Sequence, residues 1–524
     1  MPDEKNPILE YDGIDSNVDE SSKLREEREE GERKGKRNEV IRERGSAPKW
    51  LLSAVAASVS FLPFLGRDDR WSSHEALHAE VARELTVSGD WLVPRLNGRV
   101  YCDKPPLLHW LIALSYHITG RVDMLAARLP SAVAAISGAL AVYGIGLLLL
   151  TPRAALLASL VTAGTPIYAM MARTARPDML LCALVLLASL ACARAGRLRG
   201  SDGARRLLCF LFGGSAGLAT LVKGPLGLAM PLLFLFIFLW RERSSPLRDA
   251  PSILLGVAGF AVAVAAWVAP LLLRPEGAAY LWRVASQPDL MTLNEKHARP
   301  FYYYLGPFPA GFAPFLPFLA LGVLDVVSRK ARAGSALWMT ALLFLLFSAI
   351  TGKRWHYLLP LCPFAALVVG EAMDRRWNRG SFWRWASSVV IASSILGFPI
   401  FYGSLAPYFL GPNLARLAAL RVNELVPRSA RLICMSSLTD EVDFLGQRTV
   451  EEVRSVDELG RRLKGPQPET YLLVLASLRD EVEKAMGKSS LSLLYEDTAL
   501  DRNGNLPPAD ERQVLYRFSS QVFH

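Results

Sequence analysis

Apolar residues fall in long unbroken runs separated by short polar stretches, and about eleven runs approach or exceed the ~17 residues with which a helix crosses a bilayer. They cover residues 49–65, 124–150, 153–172, 178–193, 207–221, 225–240, 251–273, 303–328, 335–351, 356–373 and 384–403. The run 106–118 fits a further helix in the interfacial layer, which makes about 11–13 transmembrane helices in a polytopic α-helical membrane protein. Past residue 410 the period changes. Short β-rich runs at 430–436, 470–476, 491–496 and 512–518 alternate with helical patterns at Val456–Leu463 and Leu478–Met486. That alternation predicts a small soluble α/β domain over 410–524. Residues 1–48 mix charges of both signs and predict a disordered tail. No apolar core precedes residue 50, so the tail does not read as a signal peptide.

The short loops between runs carry Lys and Arg on alternate sides, which predicts orientation. Basic residues crowd the segment Lys23–Lys49, then Arg194–Arg206, Arg241–Arg248, Arg329–Arg332 and Arg375–Arg384, and these belong in the cytoplasm. The net charge of +10 is therefore mostly topogenic, and a nucleic-acid partner has little support. The opposite, external face receives 71–110, 173–178, 223–225, 274–305 and 353–357. Polar groups beside membrane spans converge on a cavity rather than face hydrocarbon. A one-sided cavity suits an enzyme better than a transporter or flippase, whose site lies near the midplane between repeated halves. With 51% hydrophobic residues, the composition excludes an ordinary soluble domain. The six cysteines form no disulfide framework.

The polar loop WSSHEALHAEVARELTVSGDWLVPRLNGRVYCDKPPLLHW (71–110) is the densest in candidate chemistry. Ser72 and Ser73 can cap a helix in which Leu77, Val81 and Leu85 recur every four residues, predicting an amphipathic helix along the membrane surface. His74 and His78 share the apolar side, and Glu75 lies about a right angle from it, where it can face a cavity. His74-Glu75-Ala76-Leu77-His78 also satisfies the His-Glu-x-x-His pattern of zinc proteases, in which two His bind metal and Glu activates water. Metal binding by His74 and His78 is one alternative and a membrane zinc protease another, but the motif lies outside a span and has no evident third ligand. Asp178 opens an apolar run on the external side. Lys223, Lys353 and Arg354 place positive charge on that face against the inside bias, which points to phosphate binding.

Glu75, the Ala-Glu-x-Ala-Arg-Glu run at 79–84, Gly89-Asp90-Trp91, Pro94, Asn97-Gly98 and Asp103-Lys104-Pro105-Pro106 together resemble the first external loop of the polyprenyl-phosphate-dependent membrane glycosyltransferases of GT-C type. That family contains the lipid A aminoarabinose transferases and is related to the protein O-mannosyltransferases. The resemblance implies a transmembrane catalytic domain over 49–405, a catalytic loop at 66–122, and an inverting transferase in a bacterial cytoplasmic membrane. A sugar would move from a polyprenyl-phosphate carrier to a lipid, glycan or protein acceptor. It also implies roles. The first acid of an acidic pair serves as base, and His74 stands there; Glu75 is the remaining essential carboxylate, with Asp68 and Asp69 as substitutes. Asp103 and Lys104 reach the donor phosphate or a divalent metal, with Glu75 and Asp103 as metal ligands. Asp178 matches the family's acidic residue at the external start of the fourth span, a catalytic candidate, and Lys353, Arg354 and Tyr357, with His356 between them, fall in a family-like Lys-Arg-x-x-Tyr-Leu-Leu-Pro run that would line the donor pocket beside Lys223. The loop Asn294–Tyr304 resembles a further family segment in which His297 and Arg299 contact substrate.

Overall fold

The computed structural model describes residues 48–67, 73–198, 202–242, 246–286, 298–405, 414–435, 439–464, 467–496 and 512–519. Among these, seven helices are long and apolar enough to cross a membrane: Met124–Leu149, Pro177–Arg197, Asp202–Lys223, Pro225–Glu242, Ala250–Leu272, Trp355–Trp377 and Ser381–Leu405. The helices Phe301–Phe312 and Leu316–Val327 are apolar enough only when taken together and are bent by 113°, the geometry of a broken span or a re-entrant loop. Several expected spans are shorter or broken. The first is a 13-residue helix, Lys49–Phe61. The run 153–172 divides into Pro152–Gly164 and Pro166–Met171, because Pro166 has no N–H to continue the helix and instead starts the next one. The run 335–351 is the 16-residue helix Gly334–Ala349, and 106–118 is the helix Leu107–Thr119.

Lipid offers no hydrophobic reward for helix association, so close packing of small residues must hold the bundle together. A Cβ on Gly213 would lie 1.8 Å from the Gly256 carbonyl oxygen, and one on Gly259 would lie 2.1 Å from that of Phe210. These glycines bring the helices Asp202–Lys223 and Ala250–Leu272 into backbone contact. Gly370 does the same for Cys362–Trp377 against Pro152–Gly164, where its Cβ would meet the Ala154 oxygen at 2.6 Å. Buried hydroxyls find carbonyls: Ser60 donates to Ala163 at 2.8 Å and Tyr168 to Ala135 at 2.9 Å.

From Leu414 the chain forms an α/β body around a five-stranded sheet in the order β4-β3-β5-β7-β6. Its strands are β3 (Arg431–Met435), β4 (Glu451–Glu452), β5 (Thr470–Leu475), β6 (Leu491–Glu496) and β7 (Gln513–Phe518), after a small hairpin β1–β2 described below. Parallel pairing holds for β3 with β4 and β5, and antiparallel pairing for β7 with β5 and β6. Period-two alternation gives each face its own core. Leu432, Cys434, Leu473 and Leu515 pack against Ala418, Ala419 and Val422. Ile433, Leu472, Val514 and Tyr516 pack against Leu459, Val482 and Met486.

The helix Ser73–Ser88 departs from expectation. Glu75, His78, Glu80, Arg83 and the intervening alanines are all buried, so this helix is enclosed by protein on several sides rather than on one apolar stripe. It is walled by Leu107–Thr119 and by Thr439–Gly446 of the α/β body. After it, β1 (Arg95–Leu96) and β2 (Arg99–Val100) pair across Asn97-Gly98, whose φ values of 54° and 72° are those of a two-residue hairpin turn.

Candidate active site

Five separate segments meet at one cavity of about 110 Å³. The enclosed helix contributes His74, Leu77 and His78; the stretch after the hairpin contributes Tyr101, Asp103 and Lys104. Arg176, Pro177 and Asp178 open a span, Lys223 ends one, and Arg354, His356 and Tyr357 complete the wall. The polar clusters of 71–110, 173–178, 223–225 and 353–357 converge here as expected, while the loop 274–305 contributes no lining residue among the described residues.

Local sequence explains each placement. Pro177 occupies the first turn of its helix after an extended Arg176, so Asp178 sits at the helix N-terminus, where the dipole favours a carboxylate. The helix Asp202–Lys223 stops at Gly224, φ 60°, and Pro225 starts the next, which leaves Lys223 at the turn. Pro105 and Pro106 end the extended loop and lead into Leu107–Thr119.

Asp178 is the electrostatic centre. Its Oδ1 lies 2.6 Å from Lys223 Nζ and its Oδ2 3.8 Å from His356 Nε2, with all three side chains buried. Lys223 Nζ also lies 4.3 Å from the Tyr357 ring centroid, a cation–π contact that further fixes it. Four cations, Lys104, Arg176, Lys223 and Arg354, line the cavity against two carboxylates, Asp103 and Asp178. The excess of positive charge suits an anion.

Three imidazoles share the cavity wall. His74 is exposed there, and its Nε2 lies 3.5 Å from Arg354 Nη1, which can only donate. The His74 proton is thereby assigned to Nδ1, with Nε2 the accepting nitrogen. His78 Nδ1 pairs with His109 Nε2 at 3.1 Å. Burial, and then the charge of His109, hold the His78 imidazole below its ordinary pKa, so it is neutral.

Glu75 is not at the cavity. Its carboxylate lies 2.9 Å from Arg128 Nε and accepts the Ala175 N–H at 2.9 Å, while Arg128 also donates to the carbonyls of Leu65 and Arg67. This corrects the expected cavity-facing position. It also removes the activating Glu from the His-Glu-x-x-His pattern, because the carboxylate is engaged with a guanidinium. Lys353 and Arg299 likewise stand behind the lining. Lys353 Nζ donates to the Arg299 carbonyl at 2.9 Å, Arg299 N donates to Thr351, and Tyr304 Oη donates to the Arg354 carbonyl at 3.2 Å. This bracing holds the segment that presents Arg354. His297, Asp68 and Asp69 fall outside the described residues.

No group of three or more His, Cys, Asp or Glu able to hold a metal is assembled among the described residues. Of the expected ligands, Asp103, His74 and His78 line the cavity, whereas Glu75 stands apart from it, paired with Arg128. Arg176 and Tyr101 were missed as lining residues in the sequence; Tyr101 stands two residues from Asp103 on an extended stretch, so period-two spacing could have found it.

The fold was compared with solved structures. It superposes on ArnT from Cupriavidus metallidurans bound to undecaprenyl phosphate with a TM-score of 0.72, covering 91% of this chain and 99% of that one at 19% identity. This chain has the GT-C fold. The archaeal oligosaccharyltransferase AglB from Archaeoglobus fulgidus shares that fold more distantly, with TM-score 0.56, 11% identity, and 91% and 74% of the two chains covered. In sequence, residues 103–269 match the dolichyl-phosphate-mannose-protein mannosyltransferase family model, a stretch that includes Asp103, Lys104, Asp178 and Lys223 of the GT-C cavity. An undecaprenyl phosphate-α-4-amino-4-deoxy-L-arabinose arabinosyl transferase of Aeromonas hydrophila is 30% identical over 339 residues, 62% of this chain. That match spans 60% of the relative's length. An uncharacterized protein of Aquifex aeolicus is 24% identical over 81% of this chain and 83% of its own. These matches bear out the resemblance to the polyprenyl-phosphate-dependent glycosyltransferases.

Proposed function

We propose that this chain is an inverting glycosyltransferase that moves a sugar from a polyprenyl-phosphate carrier to a hydroxyl of a lipid, glycan or protein acceptor at the external face of a bacterial cytoplasmic membrane. The observation that carries this reading is the cavity in which Lys104, Arg176, Lys223 and Arg354 surround Asp178 while an imidazole, His74, stands at the wall. Cations converging from four segments match a phosphate leaving group, and preorganised charge of this kind stabilises an anion that forms as a bond breaks. The relatives' names and the undecaprenyl phosphate held by the structural neighbour support the same donor class.

The acceptor oxygen attacks the anomeric carbon in line with the departing phosphate oxygen. As the new C–O bond forms, the old one breaks, and its electron pair leaves with the carrier phosphate among the cations. The acceptor proton passes to His74 Nε2, which gives up its 3.5 Å contact with Arg354 Nη1 to take it. Asp178 acts through Lys223 and His356: it holds the ammonium at the cavity and orients the imidazole, so its role is positioning.

The test is transfer of label from polyprenyl-phosphate sugars in membranes holding wild type, His74→Ala, Lys104→Ala or Lys223→Ala. Label appearing on a lipid, glycan or protein with wild type, and lost in the variants, supports the transferase. Absence of transfer from any donor, with carrier lipid redistributed across the bilayer, would favour a flippase.

A further inference from the structure

The helix Thr439–Gly446 of the α/β body lies on Ser73–Ser88, the helix that carries His74 and His78 to the cavity. Beside Phe444 and Leu445, which pack into the apolar core that holds Ala79 and Ala82, the two helices bury carboxyl groups from both sides. Glu80 is fully buried and takes both available arms of Arg83, Nε at 2.8 Å and Nη2 at 2.6 Å. Asp443, from the opposing helix, is also fully buried, and neither of its carboxyl oxygens has a hydrogen-bond partner among the described residues. A bare carboxylate in such a place costs far more than a neutral acid.

The charged groups around Asp443 come from three elements. Ser73–Ser88 contributes Glu80, Glu84 and Arg83; its own helix contributes Asp440; the following turn contributes Arg448. Neighbouring Glu441 and the β4 residue Glu452 bear on Asp440, and the helix Leu414–Leu425 presents the uncharged Asn423, which donates to the Val442 carbonyl. Arg83 is spent on Glu80, and Arg448 donates to the carbonyls of Val426 and Ala430. Neither guanidinium is hydrogen-bonded to Asp443.

We propose that Asp443 is a positioning residue: protonated, it lets the α/β body seat Thr439–Gly446 on the helix of His74 and His78, and its ionisation unseats that contact and loosens the cavity wall. That this loosening lowers transfer rests on the function proposed above; the seating itself does not. Burial, then Glu80 and Asp440, push the Asp443 carboxyl up to about 10. The sign follows. The seated state holds a proton that the separated state releases near the ordinary carboxylate value, so seating weakens as pH rises and is fully weakened above the seated pKa. One proton changes the seating equilibrium by up to about tenfold per pH unit in that window.

The experiment is hydrogen exchange of the full chain in lipid nanodiscs from pH 6 to 10, corrected for intrinsic rates, for wild type, Asp443→Asn and Glu80→Gln. In wild type, 73–88 and 439–446 should lose protection together as pH rises. Asp443→Asn, a permanent stand-in for the neutral acid, should keep it. Glu80→Gln frees Arg83 to pair with an ionised Asp443 and should also blunt the loss, which keeps the idea testable if Asp443→Asn folds poorly. Wild-type protection that does not respond to pH, or a loss that Asp443→Asn and Glu80→Gln share unchanged, overturns the proposal. Transfer assays on the same samples should show the alkaline limb moved upward in Asp443→Asn. If exchange switches while no sample transfers sugar, it is the transferase reading that fails.

Discussion

Glu75 and Arg128 form a buried ion pair, 2.9 Å between Oε1 and Nε, that ties the start of the helix Ser73–Ser88 to the first long span. The guanidinium reaches two further carbonyls, so the pair joins three stretches of backbone. Breaking one side leaves an uncompensated charge in a dry site, at about 3–5 kcal/mol. Glu75→Gln and Arg128→Met should each lower the melting temperature of the purified protein markedly, and the double change should cost less than the sum. Per folded molecule, Glu75→Gln should retain more transfer activity than His74→Ala; the reverse order would return Glu75 to the chemistry.

His74 Nε2 lies 3.5 Å from Arg354 Nη1 at the cavity wall. Its loss should slow transfer by about 10²–10⁴-fold, the usual contribution of a general base. His74→Asp should keep part of the rate and move the acid limb of kcat/KM downward, because a carboxylate ionises near 4 and an imidazole near 6.5. An unmoved limb would assign the base elsewhere.

Lys104 and Arg354 line the cavity where negative charge would develop on the leaving phosphate, so their removal should lower kcat as well as kcat/KM for the donor. A hydrogen bond to a charged group contributes about 1.5–3 kcal/mol, so a fall of at least tenfold is expected. Lys223→Met should do more harm, since it strips Asp178 of its 2.6 Å partner, and Asp178→Asn in the same chain should restore part of the folding loss. Titration with undecaprenyl phosphate, read by thermal stabilisation, separates binding from turnover.

Asp440 gives a second pH window at the α/β body. Burial, then Glu441 and Glu452, raise its carboxyl to about 7. The folded state therefore keeps a proton that the unfolded chain releases near 4, and stability should fall between about pH 4 and 7 as pH rises. Asp440→Asn should flatten that slope. Melting curves at pH 5 and pH 8 make the comparison, and equal slopes in the two proteins would refute it.

Much of this could be read from the residues in order. Four of the five described strands of the α/β body fall where β-rich runs stood, at Arg431–Met435, Thr470–Leu475, Leu491–Glu496 and Gln513–Phe518, and only the two-residue Glu451–Glu452 was not foreseen. Asn97-Gly98 makes the turn its chemistry demands. Lys223 and Arg354, flagged by charge and loop position, and Asp103, Lys104, Asp178 and Tyr357, implied by the family resemblance, do line one cavity. The interior of the helix Ser73–Ser88 was not legible. Leu77, Val81 and Leu85 suggested one apolar stripe, but Ala76, Ala79 and Ala82 are as deeply buried, and small residues on every face leave the period without a direction.

The sequence by itself determined that the chain is a bundle of apolar helices with polar loops gathered at one cavity and an α/β body after it, because hydrophobic period and turn chemistry are local. Only the tertiary structure decided which charges meet. Glu75 found Arg128, 53 residues away, and not the cavity; Glu80 took Arg83 and left Asp443 bare; and His78 paired with His109. A charge's role depends on what lies within a few ångströms across packed elements, where the low dielectric magnifies each contact, and no pattern along one segment carries that information.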